Sequence, residues 1–313
     1  MNTKNSVLCY GGLHYDRLAH CLDDFQLGAS NPVRSLAEPG GVASNIARNL
    51  ANLNVQVGIA SLLGEDSDGD QLLATLTQCG VDTSLTQRNS SCTTAGYTAV
   101  LDKEGELALG LADMDIYDRF DPAHLEHLLA PSLTSNWWLV DANLPADTLN
   151  HIGLNKRDQT LCAAPVSPSK AKRWRGNLYP VDIFAGNRRE ASVLTDSEIS
   201  TTNDASVAAR ALQSQGPELV LITLGPDGVV MAEGNSCAHW SIPRTSVCDV
   251  NGAGDALYAG FIAARVDATR PVQALRQGIA LASLTAEQSG AVIDIEPETL
   301  HERMALIAPP TLL

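Results

Sequence analysis

Residues 248–257 read Cys-Asp-Val-Asn-Gly-Ala-Gly-Asp-Ala-Leu, and 258–266 continue Tyr-Ala-Gly-Phe-Ile-Ala-Ala-Arg-Val. Two glycines around an alanine make a turn without bulk, and the apolar run behind it predicts a helix. N–H groups in the first turn of a helix lack partners and sit at the positive end of its dipole, so such a turn suits an anion. Asp255 stands in that same turn, where its charge opposes an incoming phosphate. One reading makes it an ordinary helix-start aspartate. The other is phosphoryl transfer, which needs donors for the transferring phosphate and a base within reach of the acceptor hydroxyl. Gly252, Ala253 and Gly254 then supply the donors, and Asp255 takes the proton from the acceptor side.

The rest of the chain frames this turn. It has 313 residues, 44% hydrophobic and 18% charged, with few aromatics, a composition suited to small-residue helices packed on a sheet. Its formal charge of −15 argues against nucleic acid or an acidic membrane as partner. Seven scattered cysteines without a CxxC predict reduced thiols rather than a disulfide framework or zinc site. No apolar run approaches the length of a membrane span, and the first residues lack signal-peptide architecture, so a cytoplasmic location is expected.

Strand and helix patterns alternate through most of the sequence. "SVLCYGG" predicts a first strand, "GGVASNIARNLANLN" a glycine turn feeding a helix, and "LVLITLG" a buried strand. Two Ala-rich helices between Asp255 and about residue 288 meet near Pro271. The alternation predicts an α/β fold, a mostly parallel, doubly wound sheet in one domain over residues 1–313. Two hairpin-like regions, about 11–37 and 93–113, interrupt it and predict a small separate β-layer, with "DKEG" as the turn of the second.

Three further stretches bear on the chemistry. In "GGVASN", Gly40 and Gly41 permit close approach of a ligand, and Asn45 offers a donor and an acceptor to a polyol, though a plain helix start explains the same residues. In "GNRREA", Asn187 and Glu190 share one helical face and suit Mg2+ through water, though an exposed helix start fits equally. "TLGPDG" follows a buried strand as a nucleotide-contacting turn would, or as any β-turn would.

Taken in this order, the stretches resemble the ribokinase-like, PfkB-type carbohydrate and nucleoside kinases. The resemblance covers nearly the whole chain, from "GGLHYD" through "PGGVASNIARNLANL", "NRREA" and "ITLGPDGV" to "DVNGAGDALYAGF". It implies a Rossmann-like domain with a small β-lid over the sugar site, the two hairpin regions being the lid. It also implies ATP and Mg2+ as cofactors, possible use of a monovalent cation such as K+, and a homodimer formed through the lid. Asp255 is then the catalytic base, and Gly252, Ala253 and Gly254 the anion hole. Asn187 and Glu190 match the motif that organises Mg2+; Asp16, Gly41 and Asn45 match the sugar-hydroxyl contacts. Thr223, Gly225 and Gly228 match the ATP-side turn, with Asn251 beside it where the family often has Thr.

Within the family the chain is similar to bacterial pseudouridine kinases, on "GGVASNIARNLANL", "LADMDIYDRF", "VDANLP" and "APVSPSK". That resemblance implies ATP-dependent phosphorylation of a nucleoside 5′-hydroxyl. Asp113 is expected near the nucleobase, and Asp141 and Asn143, at a strand end, are expected to line the ligand crevice. Ala164-Pro165-Val166-Ser167 stands where those kinases have Asp-Pro-Val-Ser, which leaves Pro165 to Lys170 unassigned. His14 and the basic run Lys170 to Arg175 read as surface, and the tryptophans as packing. The rivals are a kinase for another sugar or nucleoside, such as ribose, inosine or a hexose derivative, and a non-catalytic sensor on the same fold. A nicotinamide-linked oxidoreductase is disfavoured, because no GxGxxG follows the first strand.

Overall fold

The computed structural model describes residues 6–132 and 134–313. Its strands are β1 (Ser6–Tyr10), β2 (His14–Cys21), β3 (Val33–Gly40), β4 (Gln56–Ala60), β5 (Leu62–Gly64), β6 (Gln87–Asn89), β7 (Gly96–Leu101), β8 (Leu107–Asp113), β9 (Trp137–Asp141), β10 (Thr160–Ala164), β11 (Ile183–Asn187), β12 (Leu219–Thr223), β13 (Val229–Glu233), β14 (Ser236–Trp240) and β15 (Thr311–Leu312). The main sheet runs β15-β14-β13-β12-β11-β10-β9-β1-β4. It is parallel from β4 to β12 and antiparallel from β12 to β15. The mostly parallel sheet inferred from the alternation is therefore observed.

The central strands bury both faces, as parallel strands flanked by helices must. Val7 and Cys9 of β1 point into one hydrophobic layer, while Leu8 and Tyr10 point into the other. The first layer packs under the helices Val42–Asn52, Ala253–Val266 and Pro271–Thr285. The last two helices lie close because a Cβ on Gly260 would come within 3.0 Å of Gly278 Cα. Trp138, Trp174 and Trp240 are buried in these layers and act as packing.

The chain leaves β1 towards β4 on one side and returns through β9 on the other. That reversal opens a crevice beyond the carboxyl ends of β1 and β9, where such sheets bind ligands. A second sheet, β3-β2-β7-β8, covers the crevice. The expected β-layer is thus present, and its first hairpin extends to Gly40 rather than ending near residue 37.

Candidate active site

A cavity of about 700 Å³ lies between the small sheet and the carboxyl ends of the main strands. Parallel pairing of Asn187 with Thr223 brings these two strand ends side by side on its wall. On the opposite wall the helix Ala253–Val266 begins, with Gly252, Gly254 and Asp255 facing in.

Gly252 caps that helix at φ 71°, a left-handed value that favours glycine. A Cβ there would also lie 2.3 Å from Ala291 Cβ. Gly254 lines the cavity, with nothing within 4 Å of its missing side chain. Ala253 does not line the cavity, and its N–H donates to Val250 O at 3.3 Å. Ala256 N donates to Gly252 O at 2.8 Å, so the first-turn donors left for a ligand are Gly254 N and Asp255 N.

Asp255 Oδ2 accepts from Asn45 Nδ2 at 2.8 Å. Arg48 Nη2 donates to Asn45 Oδ1 at 2.7 Å, so the Asn45 amide can present only its NH2 to Asp255. Burial pushes the Asp255 carboxyl up to about 7; Asp141 and Glu190 add to the rise, while the Asn45 bond and Arg48 oppose it. A carboxyl poised there suits a general base at neutral pH.

Asn187 and Glu190 form a reciprocal cap on the helix Arg188–Thr195. Asn187 Oδ1 accepts from Glu190 N at 3.0 Å, and Glu190 Oε2 accepts from Asn187 N at 2.8 Å. The cap does not exhaust Glu190, which is buried, lines the cavity and is pushed up to about 7 by desolvation. Among the described residues no three His, Cys, Asp or Glu side chains converge to hold a metal. The donor set fits a hard cation held through water, with Glu190 supplying charge rather than a full cage.

Several sequence expectations need correction. Asp141 does not line the crevice; it is fully buried beneath it. Its Oδ2 accepts from Gly12 N at 3.0 Å, Ala43 N at 2.9 Å and Asn143 Nδ2 at 3.0 Å, and Oδ1 accepts from Asn143 N at 2.7 Å. It thereby ties β1, β9 and the helix Val42–Asn52 together. Asp113 also stays out. Asp16, Tyr97 and Ala112 pair across the small sheet and face the cavity, so Asp113, one residue on, faces away and meets Thr93 at 3.4 Å. Gly40 is absent from the wall, but a Cβ on it would collide with the Asp16 carboxylate. Gly225 and Gly228 shape the turn after Thr223 without lining the cavity.

The cavity also gathers residues that the sequence left aside. His14 is buried in its wall rather than on the lid surface. Pro165, Val166, Ser167 and Lys170 line it too. Val166 holds φ 68°, an outlier for a β-branched residue and a mark of strain at a site. Lys170 Nζ donates to Asn143 Oδ1, and burial, with Arg173 nearby, lowers its pKa. His14 and Asp16 lie two apart on one strand, and Asn45 and Arg48 three apart on one helix, so period alone put each pair on one face. Lys170 carries no comparable signal.

A profile described as pfkB family carbohydrate kinase matches residues 4–298. The pseudouridine kinase of Escherichia coli (strain K12) is 28% identical over 290 residues, 92% of this chain and 93% of that one. A solved carbohydrate kinase from Agrobacterium tumefaciens is 33% identical and superposes with a TM-score of 0.88 over 99% of this chain and all of the other. The Arabidopsis thaliana ribokinase solved with ribose and ATP shares the fold, with a TM-score of 0.85 at 21% identity over 96% of this chain and 98% of that one.

Proposed function

For a chain that belongs to the pfkB family of carbohydrate kinases, and so is a phosphotransferase, we propose ATP- and Mg2+-dependent transfer to the 5′-hydroxyl of a nucleoside, pseudouridine in particular. The observation that carries the chemistry is Asp255: a carboxyl at about 7, pinned through Oδ2 by Asn45 and set in the first turn of a helix whose start lines the cavity. Its Oδ1 takes the proton of the acceptor hydroxyl. The first-turn N–H groups of the helix Ala253–Val266 face the charge that develops on the phosphoryl oxygens. Thr223, Asn251, Asn187 and Glu190 line the cavity on what would be the donor side, where Glu190 would hold Mg2+. Bound Mg·ATP supplies the phosphoryl group and a divalent charge that neutralises its oxygens.

The acceptor assignment has two supports. One is the 28% identity with pseudouridine kinase along most of the chain. The other is the Asn143–Lys170 pair on the cavity wall, a neighbouring amide and ammonium that suit the carbonyl and N–H groups of a nucleobase. Turnover measured with Mg·ATP against pseudouridine, uridine, inosine, adenosine, ribose and fructose 6-phosphate tests this. Turnover confined to pseudouridine is expected. Preference for another acceptor keeps the chemistry and discards the substrate; ATP binding without turnover on any acceptor favours the sensor reading.

The lid sheet leaves Leu18, Leu36, Leu107, Leu109 and Leu111 between 39% and 58% exposed. A four-stranded sheet with apolar groups on show is poorly stable without a partner, and a second copy of the chain is the proposed cover. The monovalent-cation use that the family resemblance implies is checked by activity in potassium against choline salts. The need for ATP and seven free thiols suit the cytoplasm; no helix of the described residues is long and apolar enough to cross a membrane.

A further inference from the structure

His14 lies where the chain enters the lid, and Tyr117 lies just past where it leaves. The two meet behind the cavity wall that His14 lines, His14 Nδ1 being 2.9 Å from the Tyr117 hydroxyl. The same hydroxyl oxygen accepts from Leu13 N at 2.8 Å. Tyr117 is fully buried, and burial together with the Asp141 charge keeps its phenol protonated. A buried O–H needs an acceptor. Among the described residues His14 Nδ1 is the acceptor within reach. The hydroxyl therefore donates to Nδ1, and the ring proton must reside on Nε2. Nε2 lies 3.4 Å from Asp16 Oδ1, so a small swing of that carboxylate completes an N–H···O bond. The other Asp16 oxygen sits over Gly40, where a Cβ would lie 2.1 Å away.

We propose that His14 is a positioning residue: held by Tyr117 in its Nε2–H form, it fixes the Asp16 carboxylate that receives the acceptor's hydroxyls. The chain Tyr117–His14–Asp16 joins both lid connections to the acceptor subsite. The part played by Asp16 rests on the kinase reading above, whereas the tautomer does not.

Histidine 15N shifts, recorded on the ligand-free protein in alkaline buffer, read the tautomer directly. Nδ1 unprotonated and Nε2 protonated are expected at His14 in the wild type, with the Nδ1 resonance moved in Tyr117→Phe by the loss of the hydroxyl that donates to it. An Nδ1–H tautomer in the wild type overturns the proposal, as does an Nδ1 resonance unmoved in Tyr117→Phe. Kinetics with the best acceptor of the wild type supply the second arm. His14→Gln keeps an N–H near the Nε2 position, and His14→Asn cannot reach Asp16. His14→Asn is expected to raise the acceptor KM about ten-fold with the ATP KM unchanged, and His14→Gln to restore most of the loss. Equal effects from both substitutions overturn the proposal. A wild type without kinase activity on any acceptor removes the kinase reading, and the shifts still decide the tautomer.

Discussion

At the residue scale, Asp255 and Glu190 are two carboxyls raised to about 7 on facing parts of one cavity. A base must be ionised, so kcat/KM for the acceptor is expected to fall as pH drops below about 7. The Asn45 bond favours the ionised form of Asp255, so Asn45→Ala should move that acidic limb to higher pH; a limb that stays put or moves down contradicts the assignment. Glu190 carries a stability consequence of definite sign. Its carboxyl goes from an ordinary 4.5 to about 7 on folding, so the native state holds the proton more tightly. That contribution is full below about 4.5 and is lost as pH rises through about 7. In metal-free buffer Glu190→Gln should therefore gain melting temperature relative to the wild type as pH rises across that window, read by calorimetry. Equal pH slopes would count against a desolvated Glu190 carboxyl.

Residue type announced much of this site, because Gly-Ala-Gly-Asp and Asn-x-x-Glu carry their chemistry in local spacing. Asp141 shows the limit. Its place at a strand end was legible, but two of its four hydrogen bonds come from Gly12 and Ala43, which only the pairing of β1 with β9 and the packing of the helix Val42–Asn52 bring to it. Lys170 was hidden for a related reason: its partner Asn143 is 27 residues away, and the sequence between departs from the expected pattern.

At the element scale, two helix starts do double duty. The Asn187–Glu190 cap stabilises the helix Arg188–Thr195 and also sets Glu190 in the cavity. Asn187→Ala is expected to cost about 1 kcal/mol in denaturant unfolding. Asn187→Ser retains a capping oxygen and should keep most of that stability, yet both changes should weaken Mg·ATP. A serine variant with normal Mg·ATP affinity would reduce Asn187 to a cap. The turn before Ala253–Val266 is less tolerant. Gly252→Ala meets both a left-handed φ and Ala291, so about 2 kcal/mol or more of stability should go together with activity. The alternation of strands and helices was readable from period. The phase of β8 was not, since only its pairing with β7 decides that Ala112 faces in and Asp113 out.

At the scale of the whole molecule, the reversal at β1 makes the crevice, the lid roofs it, and the lid leaves leucines exposed where a second copy is proposed to pack. Sedimentation should give twice the 33.1 kDa chain mass, and Leu36→Glu should shift it towards one. A wild type sedimenting as a monomer removes the lid dimer and leaves the chemistry intact. The central claim is that the whole arrangement serves proton removal by Asp255. Its most direct measurement is kcat of Asp255→Asn beside the wild type, with the acceptor the wild type prefers and with ATP affinity measured on both. A fall of about a hundred-fold to ten-thousand-fold with ATP binding preserved is predicted; near-full activity in the variant would contradict it.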